Sequence, residues 1–263
     1  MCGNAIVDSM KLFLKILAGT VFLCIGVLSL FAETVPASLK SEPHSRDSYG
    51  WAERHAAVLE RHKNLKPDYV FFGDSITHWW GGEPKSVMPV VGADSWKKIF
   101  KDHPVTNCGF GFDYIDNAYY RADNGELDGI SPRVILVNLG TNNIGHRGDS
   151  AKICGDNMEA FVRLLRKKSP QAKILLIGIY PRRETRLSET IAGTNALYKK
   201  LADEKHVFFI NPGVSLLSEN SATANPKFMR DNVHLNAAGY RLIADEIILA
   251  LKRIDARYGA RAR

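Results

Sequence analysis

Apolar residues fall into two patterns that alternate along the chain. Asp68 to Phe72, Val105 to Cys108, Arg133 to Leu139, Lys173 to Ile179 and Val207 to Ile210 are short, nearly continuous apolar runs. Runs of that length without a polar face read as strands buried on both sides. Between them the apolar positions switch to helical spacing. Trp51, His55, Val58, Leu59 and His62 mark one helix ending before Pro67, and positions 153, 158, 161, 162 and 165 mark another that spans Ser150 to Lys168 and stops at Ser169-Pro170. Ser188 to Glu204 repeats Ile191, Leu197 and Leu201, and the last helix, from Asn236, repeats Ile243, Ile247, Leu251 and Ile254. Strands alternating with helices at these intervals predict an α/β fold with a parallel sheet covered on both faces.

The first 32 residues read differently. Lys11 and Lys15 precede an apolar stretch from Ile16 to Phe31, and Ala32 before Glu33 offers a small-residue cleavage point. This is the order of a secretory leader, with Met10 as a second candidate start. The competing reading is an uncleaved membrane anchor, because the apolar run approaches the length that spans a bilayer. Residues 33–47 mix Pro, Ser and charge without periodicity and are expected to be a linker, leaving 48–263 as one catalytic domain with order from about Tyr49. The mature chain would then be an exported, periplasmic or extracellular protein with no membrane span.

Composition narrows the partners. With 45% apolar residues among 263, one core needs no staple. Removing the leader with Lys11, Lys15 and Asp8 takes the formal charge from +7 to +6. The basic residues are scattered apart from Arg163 to Lys168 and a basic C-terminal stretch from Arg253 to Arg263, so no nucleic-acid stripe is indicated. Cys108 and Cys154 remain after processing, and two free buried thiols are the expectation. No CxxC or HExxH pattern occurs, so neither a metal nor another cofactor is expected.

Candidate chemistry gathers at strand ends. Gly73-Asp74-Ser75 follows the first strand, Asn107-Cys108-Gly109-Phe110-Gly111-Phe112-Asp113 the second, Gly140-Thr141-Asn142-Asn143 the third, and Asp231-Asn232-Val233-His234 lies in a late loop. Each alone is an ordinary cap, turn or polar loop. Together they supply a nucleophile, a base and an orienting carboxylate. Asp231 and His234 are three apart, so one local turn can carry both to Ser75. Asn142 and main-chain N–H groups at Ser75 and in the Gly109 to Phe112 loop are candidate oxyanion donors. Ser75 lacks a Gly-x-Ser-x-Gly context, so the elbow of α/β-hydrolases is not indicated. Asp74, Trp79, Trp80 and Arg182, with Arg183 beside it, are candidate substrate contacts. One tryptophan is expected in the core and the other is free to stack on a sugar ring.

These blocks, in this order, resemble the SGNH hydrolase superfamily, also called GDSL esterases and lipases, over about Asp68 to Leu251. Asn124-Gly125-Glu126-Leu127, the following Pro132 and Gly140-Thr141-Asn142-Asn143 resemble its platelet-activating-factor acetylhydrolase catalytic-subunit branch. The resemblance implies a three-layer α/β/α sandwich around a five-stranded parallel, flavodoxin-like sheet. It also implies Ser75 as nucleophile, His234 as base, Asp231 as orienting acid and Asn142 as side-chain oxyanion donor. One position departs: the family's oxyanion glycine falls on Phe112, whose N–H can still donate, with Gly111 as the fallback. The expected activity is a serine esterase acting on small acyl esters, O-acetyl groups on carbohydrates first. A lipid acetylhydrolase or lysophospholipase is the second enzyme reading, and a non-catalytic binding domain on a hydrolase scaffold a third.

Overall fold

The computed structural model describes residues 34–44, 48–219 and 221–258. The expected leader and its cleavage point lie outside them. Strands β1 (Tyr69–Gly73), β2 (Val105–Gly109), β3 (Val134–Asn138), β4 (Lys173–Ile177) and β5 (Val207–Ile210) form one parallel sheet in the order β2-β1-β3-β4-β5. The helices longer than one turn are α1 (Trp51–Asn64), α3 (Ala93–Phe100), α4 (Ile115–Arg121), α5 (Ala151–Lys168), α6 (Ser188–Lys200) and α7 (Ala237–Tyr258), while α2 (Ser75–His78) is a single turn. This is the expected doubly wound α/β/α sandwich.

Alternation along the strands builds two cores. Val70, Phe72, Ile135, Val137, Ile174 and Leu176 point to one face, where they meet Trp51 and Val58 of α1, Phe161 and Leu165 of α5, and Ile191 and Tyr198 of α6. Tyr69, Phe71, Val134, Leu136, Leu175 and Ile177 point to the other, against Trp96 and Phe100 of α3 and Tyr240, Ile243 and Ile247 of α7. Successive side chains of a strand must leave opposite faces, so a strand buried on both sides has to be apolar throughout. β1 and β5 meet that requirement, as do β3 and β4 apart from Asn138 and Lys173 at their ends, whereas β2 buries Thr106 and Asn107, whose side chains are hydrogen-bonded to His62 and to the Thr77 and Gly81 carbonyls respectively.

The winding reverses beside β1, between β2 and β3, and such a switch point leaves a crevice beyond the strands' C-terminal ends. Register sharpens this: Gly73 pairs with Gly109 on one side and with Asn138 on the other, so the three strands end level. The segments carrying Ser75, Phe112 and Asn142 therefore emerge side by side.

Segment 36–44 differs from its expected linker character. Leu39 is buried, the Ser38 hydroxyl donates to Asn157 Oδ1 at 2.7 Å, the Lys40 N–H donates to Asp116 Oδ1 at 2.9 Å, and Asn117 Nδ2 donates to the Glu42 carbonyl at 3.0 Å. These contacts, with a turn closed by the Leu39 N–H on the Pro36 carbonyl at 2.9 Å, pin the segment to α4 and α5 without any hydrophobic period. Cys108 and Cys154 are free and buried. Among the described residues no helix is long and apolar enough to cross a membrane.

Candidate active site

Ser75 opens α2 directly after β1. A Cβ on Gly73 would lie 2.0 Å from Thr77 Oγ1 and 3.2 Å from the Asn138 carbonyl, so only glycine lets the chain double back into the helix there. Asp74 caps the turn, its Oδ1 accepting the Ile76 N–H at 2.9 Å. The Ser75 hydroxyl lies 2.8 Å from His234 Nε2, and His234 Nδ1 lies 2.8 Å from Asp231 Oδ2. The other Asp231 oxygen accepts the Val233 and His234 N–H groups at 2.8 and 2.7 Å. The Asp-x-x-His spacing is thus a carboxylate folded over the turn that carries the imidazole.

The charges of this relay are set locally. Burial pushes the Asp231 carboxyl up, but the His234 and Val233 N–H groups and the imidazole more than offset it and hold it below its ordinary value. Burial lowers the His234 pKa, the Asp231 carboxylate works against that, and the charges of Arg182 and Arg230 add to the lowering. A resting neutral imidazole is what a general base needs. Trp79 stacks on that ring with centroids 4.0 Å apart and planes 20° from parallel, and the exposed Arg230 guanidinium lies 5.7 Å from the Trp79 ring.

Across the crevice, Asn142 is buried, and its Nδ2 donates one hydrogen to the Asp113 carbonyl at 3.1 Å. A primary amide has two N–H donors, so one remains for an oxyanion. Phe112 has φ of +64°, the left-handed region that favours glycine. The Gly111 N–H is already committed to His78 Nδ1 at 3.2 Å, which removes Gly111 as the fallback donor. Phe112 and the exposed His146 ring lie 5.7 Å apart at the rim.

Three expected substrate contacts are placed elsewhere. Asp74 is buried, and loss of water pushes its carboxyl up to about 7. Trp80 is fully buried with its indole N–H on Ser95 Oγ at 2.8 Å, making it the core member of the pair while Trp79 faces the imidazole. The Arg182 guanidinium is buried, paired with Glu184 and directed at Thr141, so it acts on the site through its charge. Arg183 is exposed, its N–H tied to the Asn232 carbonyl at 3.0 Å.

Sequence reasoning missed the support behind the 110–113 loop. Arg121 sits fully buried between Asp113 (3.0 Å) and Glu126 (2.5 Å) with its guanidinium 3.8 Å from the Phe110 ring, and Trp51 Nε1 donates to the other Asp113 oxygen at 2.8 Å. Glu126 of the Asn-Gly-Glu-Leu block is therefore a buried counter-ion. A charged residue at each end of a single turn was the available signal, but pairing through 62 residues, as for Trp51 and Asp113, leaves no periodicity to read.

The sheet order defines an α/β/α sandwich, with Ser75, His234 and Asp231 in hydrogen-bonding sequence beyond its strand ends. Comparison with known proteins narrows it. A model of the GDSL-like lipase/acylhydrolase family matches residues 71–242. The human platelet-activating factor acetylhydrolase IB subunit alpha2 is 31% identical over 210 residues, covering 76% of this chain and 84% of that one. Two solved structures share the fold: an acetyl xylan esterase, AlAXEase (TM-score 0.55, 24% identity, 70% of this chain and 98% of that one), and Est24, a carbohydrate acetylesterase from Sinorhizobium meliloti (0.53, 17%, 72% and 100%). The chain belongs to the GDSL-like lipase/acylhydrolase family and is an ester hydrolase.

Proposed function

We propose that the protein is an exported serine esterase that removes small acyl groups, O-acetyl groups on carbohydrates first, through Ser75, His234 and Asp231. The observation that carries this reading is the relay itself, with 2.8 Å at both of its hydrogen bonds. His234 Nε2 takes the hydroxyl proton as Ser75 Oγ bonds to the ester carbonyl carbon, and the oxyanion forms against Asn142 Nδ2 and the Phe112 and Ser75 N–H groups. The imidazolium then gives its proton to the leaving alcohol oxygen. Water, deprotonated by the same imidazole, attacks the acyl-enzyme and releases the acid. Asp231 holds the imidazole tautomer throughout.

Flat rings near the relay, Trp79 over His234 and Phe112 beside His146, suit a sugar face. The carbohydrate-acting structural neighbours agree with that choice. A lipid acetylhydrolase is the second reading, favoured by an apolar loop whose Val87 and Val90 are 85% and 60% exposed and whose Val91 N–H is bonded to the Trp79 carbonyl at 2.7 Å. Export rests on residues 1–32 as a cleaved leader, with a mature N-terminus near Glu33.

Turnover on acetylated xylan, p-nitrophenyl esters of rising chain length and an acetylated ether phospholipid tests the substrate class. A preference for the phospholipid over every acetylated sugar would reverse the order of the two readings. Ser75→Ala, measured together with its thermal melt, should abolish turnover while leaving the fold intact, since the side chain supplies the covalent step and little packing. Turnover near the wild-type rate in that variant would remove Ser75 from the mechanism.

A further inference from the structure

The Phe112 N–H and the Gly111 carbonyl are opposite ends of one planar trans peptide unit, so fixing the carbonyl end aims the N–H end in the opposite direction. The Tyr49 hydroxyl donates to that carbonyl at 3.0 Å. The preceding peptide is fixed as well, because the Gly111 N–H donates to His78 Nδ1 at 3.2 Å. The two clamping side chains support each other, their rings meeting edge to face with centroids 5.1 Å apart. His78 is the last residue of α2, three after Ser75, and its own N–H is bonded to the Asp74 carbonyl at 2.9 Å. The nucleophile and one jaw of the clamp therefore ride on a single turn.

We propose that Tyr49 and His78 are positioning residues that hold the Gly111–Phe112 peptide with its N–H toward the acyl oxygen bound at Ser75. The inference rests on the acyl-transfer reading above. It explains how a phenylalanine occupies the left-handed conformation at this point: hydrogen bonds on both sides of Gly111 resist the peptide rotation that would relax Phe112 and withdraw its N–H. His78 is suited to the task because its Nδ1 must stay an acceptor. Burial, with the charges of Arg54 and Arg121, lowers its pKa to about 2, so the ring is neutral at working pH and its Nε2–H donates to Ser86 Oγ at 2.7 Å. The clamp also explains a placement that sequence could not anticipate: Tyr49 lies ahead of α1, outside every catalytic block.

The test is steady-state kinetics on p-nitrophenyl acetate with Tyr49→Phe, His78→Leu and His78→Asn, each beside its thermal melt. Acylation and deacylation both pass through the oxyanion, so kcat falls while KM stays near the wild-type value. Misplacing one donor should lower kcat by roughly tenfold in Tyr49→Phe and roughly a hundredfold in His78→Leu. His78→Asn places an amide oxygen where Nδ1 stood and should recover most of the leucine variant's loss. The acidic limb of the pH profile should not move, since the clamp does not touch His234. A folded Tyr49→Phe with wild-type kcat, or an asparagine variant no better than leucine, overturns the clamp; if His78→Leu fails to fold, Tyr49→Phe decides alone. An active Ser75→Ala would instead overturn the acyl-transfer reading, so the two failures are distinguishable.

Discussion

Phe112 offers a direct measure of backbone strain in the 110–113 loop. A side chain at φ of +64° costs about 1–2 kcal/mol relative to glycine, and replacing a side chain with glycine costs about 0.4–1 kcal/mol through the unfolded chain. Phe112→Gly and Phe112→Ala remove the same ring, including its 5.7 Å contact with His146, but only glycine relaxes the backbone. The glycine variant should therefore be more stable than the alanine variant by about 0.5–1 kcal/mol, a difference of about 1–4 °C in melting temperature for a chain of this size. Differential scanning calorimetry of the two proteins side by side measures that difference free of the shared ring loss. Both keep the N–H at position 112, so turnover of an acetyl ester should differ little between them. The ratio of longer-acyl to acetyl activity should rise in both, since a smaller side chain beside the proposed oxyanion donor leaves more room for the acyl chain. An alanine variant melting at or above the glycine variant would refute the strain argument, and with it the reason for a clamp around Gly111.

Two further outcomes concern pH. Arg230→Gln removes a charge that disfavours the imidazolium of His234, so the His234 pKa should rise and the acidic limb of kcat/KM should move to higher pH with an unchanged plateau. The displacement should be small and shrink with salt because Arg230 is exposed, and a limb that does not move at low ionic strength refutes the contribution. Asp74 is the opposite case, a carboxyl raised from 3.8 to about 7 by burial. The folded state then holds a proton that the unfolded state has lost between those values, so stability falls as pH rises through that window, by an upper limit on the order of 4 kcal/mol. Asp74→Asn keeps the cap on Ile76 and removes the titration. Its melting temperature should match the wild type near pH 4 and exceed it above pH 7, and equal melts at both pH values would refute the raised carboxyl.

The strands were legible because strands buried on both faces are mostly apolar, as β1, β3 and β4 are, and β5, half-buried at Phe209 and Ile210, still matches its run residue for residue. The other ends differ by a residue or two, as at β1, expected over Asp68 to Phe72 and found over Tyr69–Gly73. Short helices were not legible. In α4, Asp116, Asn117 and Arg121 are buried, so polar side chains occupy positions where an apolar period would have appeared. The α3 helix, eight residues long, buries Ser95 beside Trp96 for the same reason. At the site, the four blocks carried Ser75, Asn142, Asp231 and His234 because each follows a strand or shares a turn. Tyr49, His78 and Arg121 act through hydrogen bonds across the fold, and such bonds need one suitable atom at the right place rather than a repeating pattern.

The same absence of pattern hides how the sheet's β2 edge is closed. An edge strand presents unpaired carbonyls that invite another chain. In β2 the outward carbonyls are those of Val105, Asn107 and Gly109, two residues apart, and all three are met from α1. Arg61 donates to Val105 at 3.1 Å, and Arg54 donates to Asn107 and Gly109 at 2.9 and 2.8 Å. The two arginines are seven apart, two helical turns and roughly 10 Å of rise, which fits a strand whose alternate carbonyls recur at roughly 6.6 Å. Arg54 spans two of them with separate nitrogens, a reach that lysine's single ammonium lacks. The strand so held runs straight into Phe110, Gly111 and Phe112. The cover of the edge and the fixing of the 110–113 loop are therefore one piece of construction: α1 supplies the arginines that seal β2, and the residues just ahead of Arg54 supply Trp51 for Asp113 and Tyr49 for Gly111. A buried ion pair such as Arg121 with Asp113 adds little net stability once desolvation is counted. What it supplies here is a fixed position for Asp113, whose carbonyl accepts from Asn142 and whose N–H closes the turn onto Phe110.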